Sequence, residues 1–152
     1  MRKFDQVKDI IEYSQEIHDR LAGFYDELSD KHQSSRIKML LDYLRRHERN
    51  IAECLSQFEN DTAQKMMDTW LEFAPTTNIN EKIKYLPLHS DITLAQIVET
   101  ALDVDNAIVA LYRDLKDHVD LPELKELFEN MIEMEDNEKK RLVRDAMSLD
   151  DM

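Results

Sequence analysis

Four stretches of this 152-residue chain repeat apolar residues in steps of three and four, and this repetition most constrains the fold. Such steps place side chains along one face of an α-helix. The stretches begin and end near residues 4–28, 37–58, 94–115 and 124–142. Each predicted helix has about 25 residues, or roughly 37 Å of length, so the four match. With one glycine and three prolines, the chain is poorly suited to a turn-rich β architecture, and an all-α protein is predicted.

Two short links and one long connection predict how the helices are joined. The links around residues 29–34 and 117–121 are short enough to form antiparallel hairpins. Residues 59–90 lie between the hairpins and can cross the length of a bundle. The sequence therefore predicts one domain over residues 1–152, an antiparallel four-helix bundle with a long crossover between helices 2 and 3.

Local signals predict details of the crossover and of the helix ends. Residues 61–73 are amphipathic and should extend the second helix or form a short helix, with Trp70 covering the bundle or, less favoured, anchoring a dimer. Pro75 and Pro87 bracket a segment predicted to be extended. The expected N-caps are Ser34 or Ser35, then Ser90 or Asp91, and finally Asp120 before Pro122.

Charge and cysteine content exclude several classes of function. The formal net charge of -13 argues against nucleic acid or an anionic membrane as a partner. Cys54 is the only cysteine, which excludes an internal disulfide and a CxxC motif; it is expected in the core. The chain has no signal-like N-terminus and no apolar run of the roughly 20 residues that span a membrane. A cytoplasmic protein is expected.

Polar residues interrupt the predicted apolar stripes at one height. They are His18, His47, Asp105, Glu135 and Glu138, with Asn50 one turn after His47. His18 lies about 11 residues before the first turn and His47 about 13 after it, while Asp105 and Glu135 lie about 13 before and 15 after the second. In an antiparallel bundle these positions meet near the middle. They form a predicted polar layer.

Isolated charges in such a layer would each cost several kcal/mol, so three interpretations are considered. The imidazoles and carboxylates could hold a metal ion, with iron, manganese or zinc suiting this mixed set of ligands. They could instead pair with one another without a metal. Slightly different helix phases could also bring some of them to the solvent.

Other polar side chains receive simpler interpretations. Tyr25 and Tyr112 are expected as core aromatics or as hydrogen-bonding partners of the polar layer. His32, His89 and His118 fall in predicted connections and are expected to be solvated. The stretch HERNI at residues 47–51 lacks the second histidine of a zinc-protease motif.

The two predicted hairpins look like copies of each other. FYDELSD at 24–30 aligns with LYRDLKD at 111–117, an offset of 87 residues. LRRHERN at 44–50 aligns more weakly with IEMEDNE at 132–138, an offset of 88. A pair of hairpins related by a pseudo-twofold axis accounts for both offsets.

With these features the whole chain resembles the rubrerythrin branch of the ferritin-like superfamily. That family carries a glutamate seven residues before a tyrosine in its first and third helices, and Tyr25 and Tyr112 place His18 and Asp105 at the glutamate positions. Its second and fourth helices carry Glu-x-x-His, where this chain has HERN at 47–50 and EDNE at 135–138. Of these expected residues, only Glu135 is kept.

The resemblance implies a ferritin-like bundle whose di-iron site has diverged. Its metal ligands would be drawn from His18, His47, Asn50, Asp105, Glu135 and Glu138, with an oxidoreductase role in oxygen, peroxide or iron chemistry. The alternative is a metal-free scaffold that acts as an interaction or regulatory protein. A homodimer is expected in both cases, and the identity of any other protein partner is open.

Overall fold

The computed structural model describes residues 4–73, 79–84, 86 and 91–150, and within these ranges four long helices dominate. In chain order the elements are β1 (Phe4–Gln6), α1 (Val7–Lys31), α2 (Ser35–Asp61), α3 (Gln64–Met67), β2 (Trp70–Phe73), α4 (Ile79–Lys84), α5 (Leu94–His118) and α6 (Pro122–Asp150). The four long helices contain 25, 27, 25 and 29 residues. The all-α bundle predicted from the apolar repeats is confirmed.

Two histidine contacts show that the connection between the hairpins runs the length of the bundle. The Nε2 of His32, just after α1, lies 3.0 Å from the carbonyl oxygen of Ile92, just before α5. The Nε2 of His118, at the end of α5, lies 3.2 Å from the carbonyl oxygen of Leu71 in β2, and β2 pairs with β1 at the start of α1. Helix α5 therefore begins where α1 ends and ends where α1 begins, so it is parallel to α2.

The connection contains a strand that the sequence analysis did not predict. Helix α2 ends at Asp61, so residues 61–73 do not extend it. The short helix α3 is the other alternative predicted for this stretch, but Trp70–Phe73 forms a strand. This strand pairs antiparallel with β1, and Phe4 faces Phe73 across the ladder. The favoured packing role of Trp70 is wrong, since 67% of its surface is exposed.

The segment between Pro75 and Pro87 was predicted to be extended, and its described central part is helical. Helix α4 (Ile79–Lys84) buries Ile79 and Ile83, which are four residues apart and so share one helix face. Pro75, Pro87, His89 and Ser90 lie outside the described residues.

Helix starts agree with the sequence signals at one of three positions. The Ser34 hydroxyl caps α2 by accepting from the Ile37 amide at 3.3 Å. Helix α5 is capped by Thr93, which forms a reciprocal capping box with Gln96, so the prediction of Asp91 is wrong. Helix α6 begins at Pro122, which leaves Asp120 one residue outside the capping position.

The core follows the predicted stripes, with two corrections. Cys54 is exposed, because the buried stripe of α2 passes from Ile51 to Leu55 in a step of four residues. His32, expected to be solvated, is only 8% exposed. Its Nδ1 accepts from the Ser34 amide while Nε2 meets the carbonyl of Ile92, so both ring nitrogens are satisfied without water. None of the described helices is both long and apolar enough to cross a membrane.

Candidate metal site

Five ionisable side chains from all four long helices meet inside the bundle. These residues, called the buried polar cluster below, are His18, His47, Glu48, Asp105 and Glu135. None exposes more than 3% of its surface. The distances from the turns predicted that four of these residues, all but Glu48, lie at one height in the bundle, and the structure places them together.

His18 on α1 is held between two carboxylates. Its Nδ1 lies 2.5 Å from Glu48 Oε2 on α2, and its Nε2 lies 2.9 Å from Glu135 Oε1 on α6. The Tyr112 hydroxyl donates to the same Glu135 oxygen at 3.4 Å. Because an imidazole can donate from both nitrogens only when it is protonated, two carboxylate partners favour the imidazolium.

The surroundings shift the pKa values in agreement with this geometry. Burial by itself lowers the pKa of His18, but Glu135 and Glu48 outweigh that effect and hold it well above its usual value. Burial raises the pKa of Glu48 to about 6 even though His18 opposes the shift. Burial also raises the pKa of the Tyr25 and Tyr112 hydroxyls, which therefore stay protonated at neutral pH.

His47 on α2 sits in a looser arrangement. Its Nε2 lies 3.9 Å from Asp105 Oδ2 on α5, beyond hydrogen-bonding distance. Its Nδ1 lies 3.4 Å from Glu138 Oε2 on α6, whose side chain is 17% exposed. Burial lowers the pKa of His47, but the neighbouring acids Asp105, Glu48 and Glu138 raise it above its ordinary value overall.

The internal repeat has a direct structural counterpart in this cluster. His18 on α1 pairs with Glu135 on α6, and Asp105 on α5 faces His47 on α2. If one hairpin is superposed on the other, the His18–Glu135 pair coincides with the Asp105–His47 pair. The imidazole of each pair then lies where the other pair has its carboxylate. At the repeated positions the first hairpin thus supplies two imidazoles, His18 and His47, and the second supplies two carboxylates, Asp105 and Glu135.

Several buried polar atoms around His47 and Asp105 have no hydrogen-bond partner. They are His47 Nε2, both carboxylate oxygens of Asp105, Glu48 Oε1, Glu135 Oε2 and the Tyr25 hydroxyl. Buried polar groups in native proteins nearly always have partners, and an unpaired buried carboxylate is costly. Asp105 therefore has neither carboxylate oxygen engaged, whereas both ring nitrogens of His18 are engaged by one oxygen each of Glu48 and Glu135.

Three members of the cluster could share one cation. One ligand atom from each of His47, Glu48 and Asp105 lies within 4.8 Å of the other two. Imidazole nitrogen and carboxylate oxygen form the donor set used for iron, manganese and zinc. The unpaired atoms and the ligand chemistry both fit a metal ion at this point.

The structure brings together most of the residues that the sequence singled out. His18, His47, Asp105 and Glu135 are buried and in one group, and Glu138 lies at its edge. Asn50 is exposed on α2 and lies outside the buried group.

Glu48 belongs to the buried polar cluster but was not predicted from the sequence. The predicted apolar stripe of the second helix already passed through its neighbour His47, so Glu48 was not assigned to the buried face. A signal was present. The buried residues of α2 include Leu41, Glu48, Ala52 and Leu55, which are separated in the sequence by seven, four and three positions. A second buried stripe on α2 therefore includes Glu48.

Four long helices in two hairpins, joined by a lengthwise crossover around a buried acid–imidazole cluster, define a ferritin-like bundle. Among solved structures, the fold is similar to that of a Thermotoga maritima protein provisionally described as a ferritin-like diiron-carboxylate protein. The TM-score is 0.60 and the identity is 22%, with 95% of this chain and 96% of that chain covered. No family model matches this chain, and no curated protein matches its sequence.

Proposed function

We propose that this protein is a ferritin-like metal protein that holds a metal ion between His47, Glu48 and Asp105. The observation that carries this proposal is that each of these three residues has an unpaired buried polar atom and that one ligand atom from each lies within 4.8 Å of the other two. A bound divalent cation would satisfy them and compensate the buried carboxylates.

The contacts of His18 support one ion rather than two. The His18 imidazole lies between Glu48 and Glu135, with both nitrogens engaged. As an imidazolium it supplies the positive charge that a second metal ion would otherwise bring to these carboxylates. His18 and Glu135 then act as positioning residues, since a hydrogen bond from His18 orients Glu48 toward the ion.

The proposed ligands suit a redox or Lewis-acid metal, and iron in particular would supply oxygen or peroxide chemistry of the rubrerythrin type. The residues of this chain would hold the ion and keep bulk water away, because the cluster is buried on all four helices. Tyr25 and Tyr112 keep their hydroxyl protons and could donate hydrogen bonds there. An oxidoreductase role in the cytoplasm follows as part of this proposal.

Metal titration of the full chain tests the proposal. Protein stripped with a chelator is titrated with Fe(II) under anaerobic conditions, and separately with Mn(II) and Zn(II). Bound metal is measured by elemental analysis and stability by thermal unfolding. We expect one ion per chain, and stabilisation of about 2.7 kcal/mol when free metal reaches 100 times its Kd.

The variant Asp105→Asn tests whether the Asp105 carboxylate binds the metal or only contributes to the folded structure. The amide is nearly the same size but a weaker ligand, so metal affinity should fall at least about tenfold. The metal-free variant should be as stable as the parent or more so, because an unpaired buried charge is removed. Asp103→Asn is the matched control, exposed two residues away on the same helix. Absence of metal binding by the parent chain, or equal binding by Asp105→Asn, would overturn the proposal.

The closed contacts of His18 favour a second candidate, a metal-free scaffold that serves as an interaction or regulatory protein. His18 already neutralises part of the buried acid charge without an ion. This alternative expects no stoichiometric metal and no thermal shift with any of the three cations. It also expects Asp105→Asn to change stability while partner binding stays the same.

A further inference from the structure

A surface cavity of about 410 Å³ lies between α2 and α6, directly beside the buried polar cluster. His47 and Glu138 line it on the side of the cluster, and Asn50 lines it nearer the solvent. The Tyr43 ring stacks on His47 with centroids 6.2 Å apart. The cavity is within the size range of small-molecule sites.

Three arginines surround this cavity in a chain that is otherwise strongly acidic. Arg46, Arg49 and Arg141 line it together with one carboxylate, Glu138, while the whole chain carries a formal charge of -13. The cavity therefore concentrates positive charge against the overall field. A small anion approaching the protein would be attracted here and repelled elsewhere.

The arginines differ in how firmly they are already paired. Arg141 Nη1 lies 3.3 Å from Glu138 Oε1, and Arg46 Nε lies 3.4 Å from Asp42 Oδ2. Within the described ranges, no acidic group lies within ion-pairing distance of Arg49. Two guanidinium groups are thus held in place by carboxylates, and the third has its donors free for a ligand.

The buried side of the cavity is formed by His47. Its imidazole exposes 3% of its surface, lines the cavity and has its Nδ1 3.4 Å from Glu138 Oε2, another lining residue. The Nε2 atom faces Asp105 inside the bundle, so an anion in the cavity would lie beside the imidazole without needing that atom.

We infer that this cavity binds a small oxyanion, a carboxylate or a phosphate, beside His47. Guanidinium groups recognise both kinds of anion through paired, charge-assisted hydrogen bonds. Arg49 makes the new contact, and Arg141 and Arg46 shape the positive field around it. The inference goes beyond the proposed metal site, with which the cavity shares His47, and does not require a bound metal, since the charged groups that attract the anion are arginines outside the buried polar cluster.

Calorimetric titration of the full chain, before and after treatment with a chelator, tests this inference. The probes are inorganic phosphate and acetate, with chloride at equal ionic strength as the reference. We expect saturable binding of at least one oxyanion, no saturable binding of chloride, and a shift of the His47 imidazole resonance on binding. Tighter binding of phosphate would assign the ligand to the phosphate class, and tighter binding of acetate would assign it to the carboxylate class.

Arg49→Gln should weaken this binding about tenfold, as expected for loss of a charge-assisted contact. The matched control is Arg113→Gln, which removes another exposed arginine, on α5 and outside the cavity. Failure of both oxyanions to bind, equal weakening in the two variants, or saturable chloride binding would overturn the inference. Anion binding by the chelated protein would stand even if no metal ever bound, so the two proposals fail separately.

Discussion

At the scale of single residues, an imidazole between two acids decides the character of the interior. His18 bridges Glu48 and Glu135 without solvent, and burying three such charges is acceptable only because they compensate one another. Asp105 and His47 have no comparable closure. The contrast between these two halves supports a site for an added ligand in one of them.

The raised pKa values of His18 and His47 predict a pH dependence for the metal-free protein. The pKa of each imidazole is higher in the folded protein than in the unfolded chain. The two histidines therefore stabilise the fold fully at a pH below their unfolded pKa. This stabilisation is lost as the pH rises through their folded pKa. Between pH 7 and 9 the folded state thus holds more protons, and the free energy of unfolding should fall by up to about 1.4 kcal/mol per pH unit for each extra proton.

Urea unfolding at pH 7, 8 and 9 measures this slope. His118→Gln is the control, because it removes an exposed imidazole at the end of α5, outside the buried polar cluster. A stability that stays level or increases over this range would contradict the assignment of His18 as an imidazolium.

At the scale of elements, helix starts and the strand pair depend on side chains that the apolar repeat does not reveal. Thr93 and Gln96 cap α5 reciprocally, although Asp91 nearby has equal capping propensity in a sequence. The strand β1 forms because β2 returns to the start of α1 and pairs with it. Neither β1 nor β2 is long enough for alternating apolar and polar residues to predict a strand from its own sequence.

Loss of the α5 cap should have a measurable cost. Thr93→Ala removes the side-chain acceptor for the Gln96 amide and should lower the free energy of unfolding by about 1 kcal/mol. Asp120→Ala, at the candidate cap that lies outside α6, should have a smaller effect. Chemical denaturation of both variants decides the assignment, and a larger cost for Asp120→Ala would contradict it.

The strand pair is also expected to be a stabilising part of the core. Phe4 is fully buried, and its ring lies 4.9 Å from the Tyr13 ring. Phe4→Ala should therefore cost about 3 kcal/mol or more. Chemical denaturation of this variant checks the prediction, with Asp5→Ala, at the exposed residue next to Phe4 in β1, as the control. Similar small losses in both variants would show that the β1 end contributes little to the folded state.

At the scale of the whole molecule, two similar hairpins close around one site to which both contribute. The crossover places α5 antiparallel to α1, and this arrangement brings His18 and Asp105 to the same height. Outside this interior, Trp70 remains exposed on β2, and large exposed aromatic side chains are enriched at protein interfaces.

A homodimer therefore remains a prediction, with Trp70 as a candidate contact. Light scattering coupled to gel filtration should give twice the mass of 18.1 kDa at micromolar concentration. Trp70→Ser should shift this mass toward the monomer without loss of helical content. A monomeric parent chain would contradict the prediction, and an unshifted dimer in the variant would exclude Trp70 from the interface.

The sequence by itself determined the four helices, their pairing into hairpins and the height of the polar layer. Those features depend on the helical period and on distances counted from the turns, which are local. Only the tertiary structure decided that Glu48 joins the cluster, that Asn50 and Cys54 do not, and that Trp70–Phe73 is a strand. A shift of one residue in helix phase rotates a side chain by about 100°, and strand pairing joins residues distant in the chain, so packing between elements settles both.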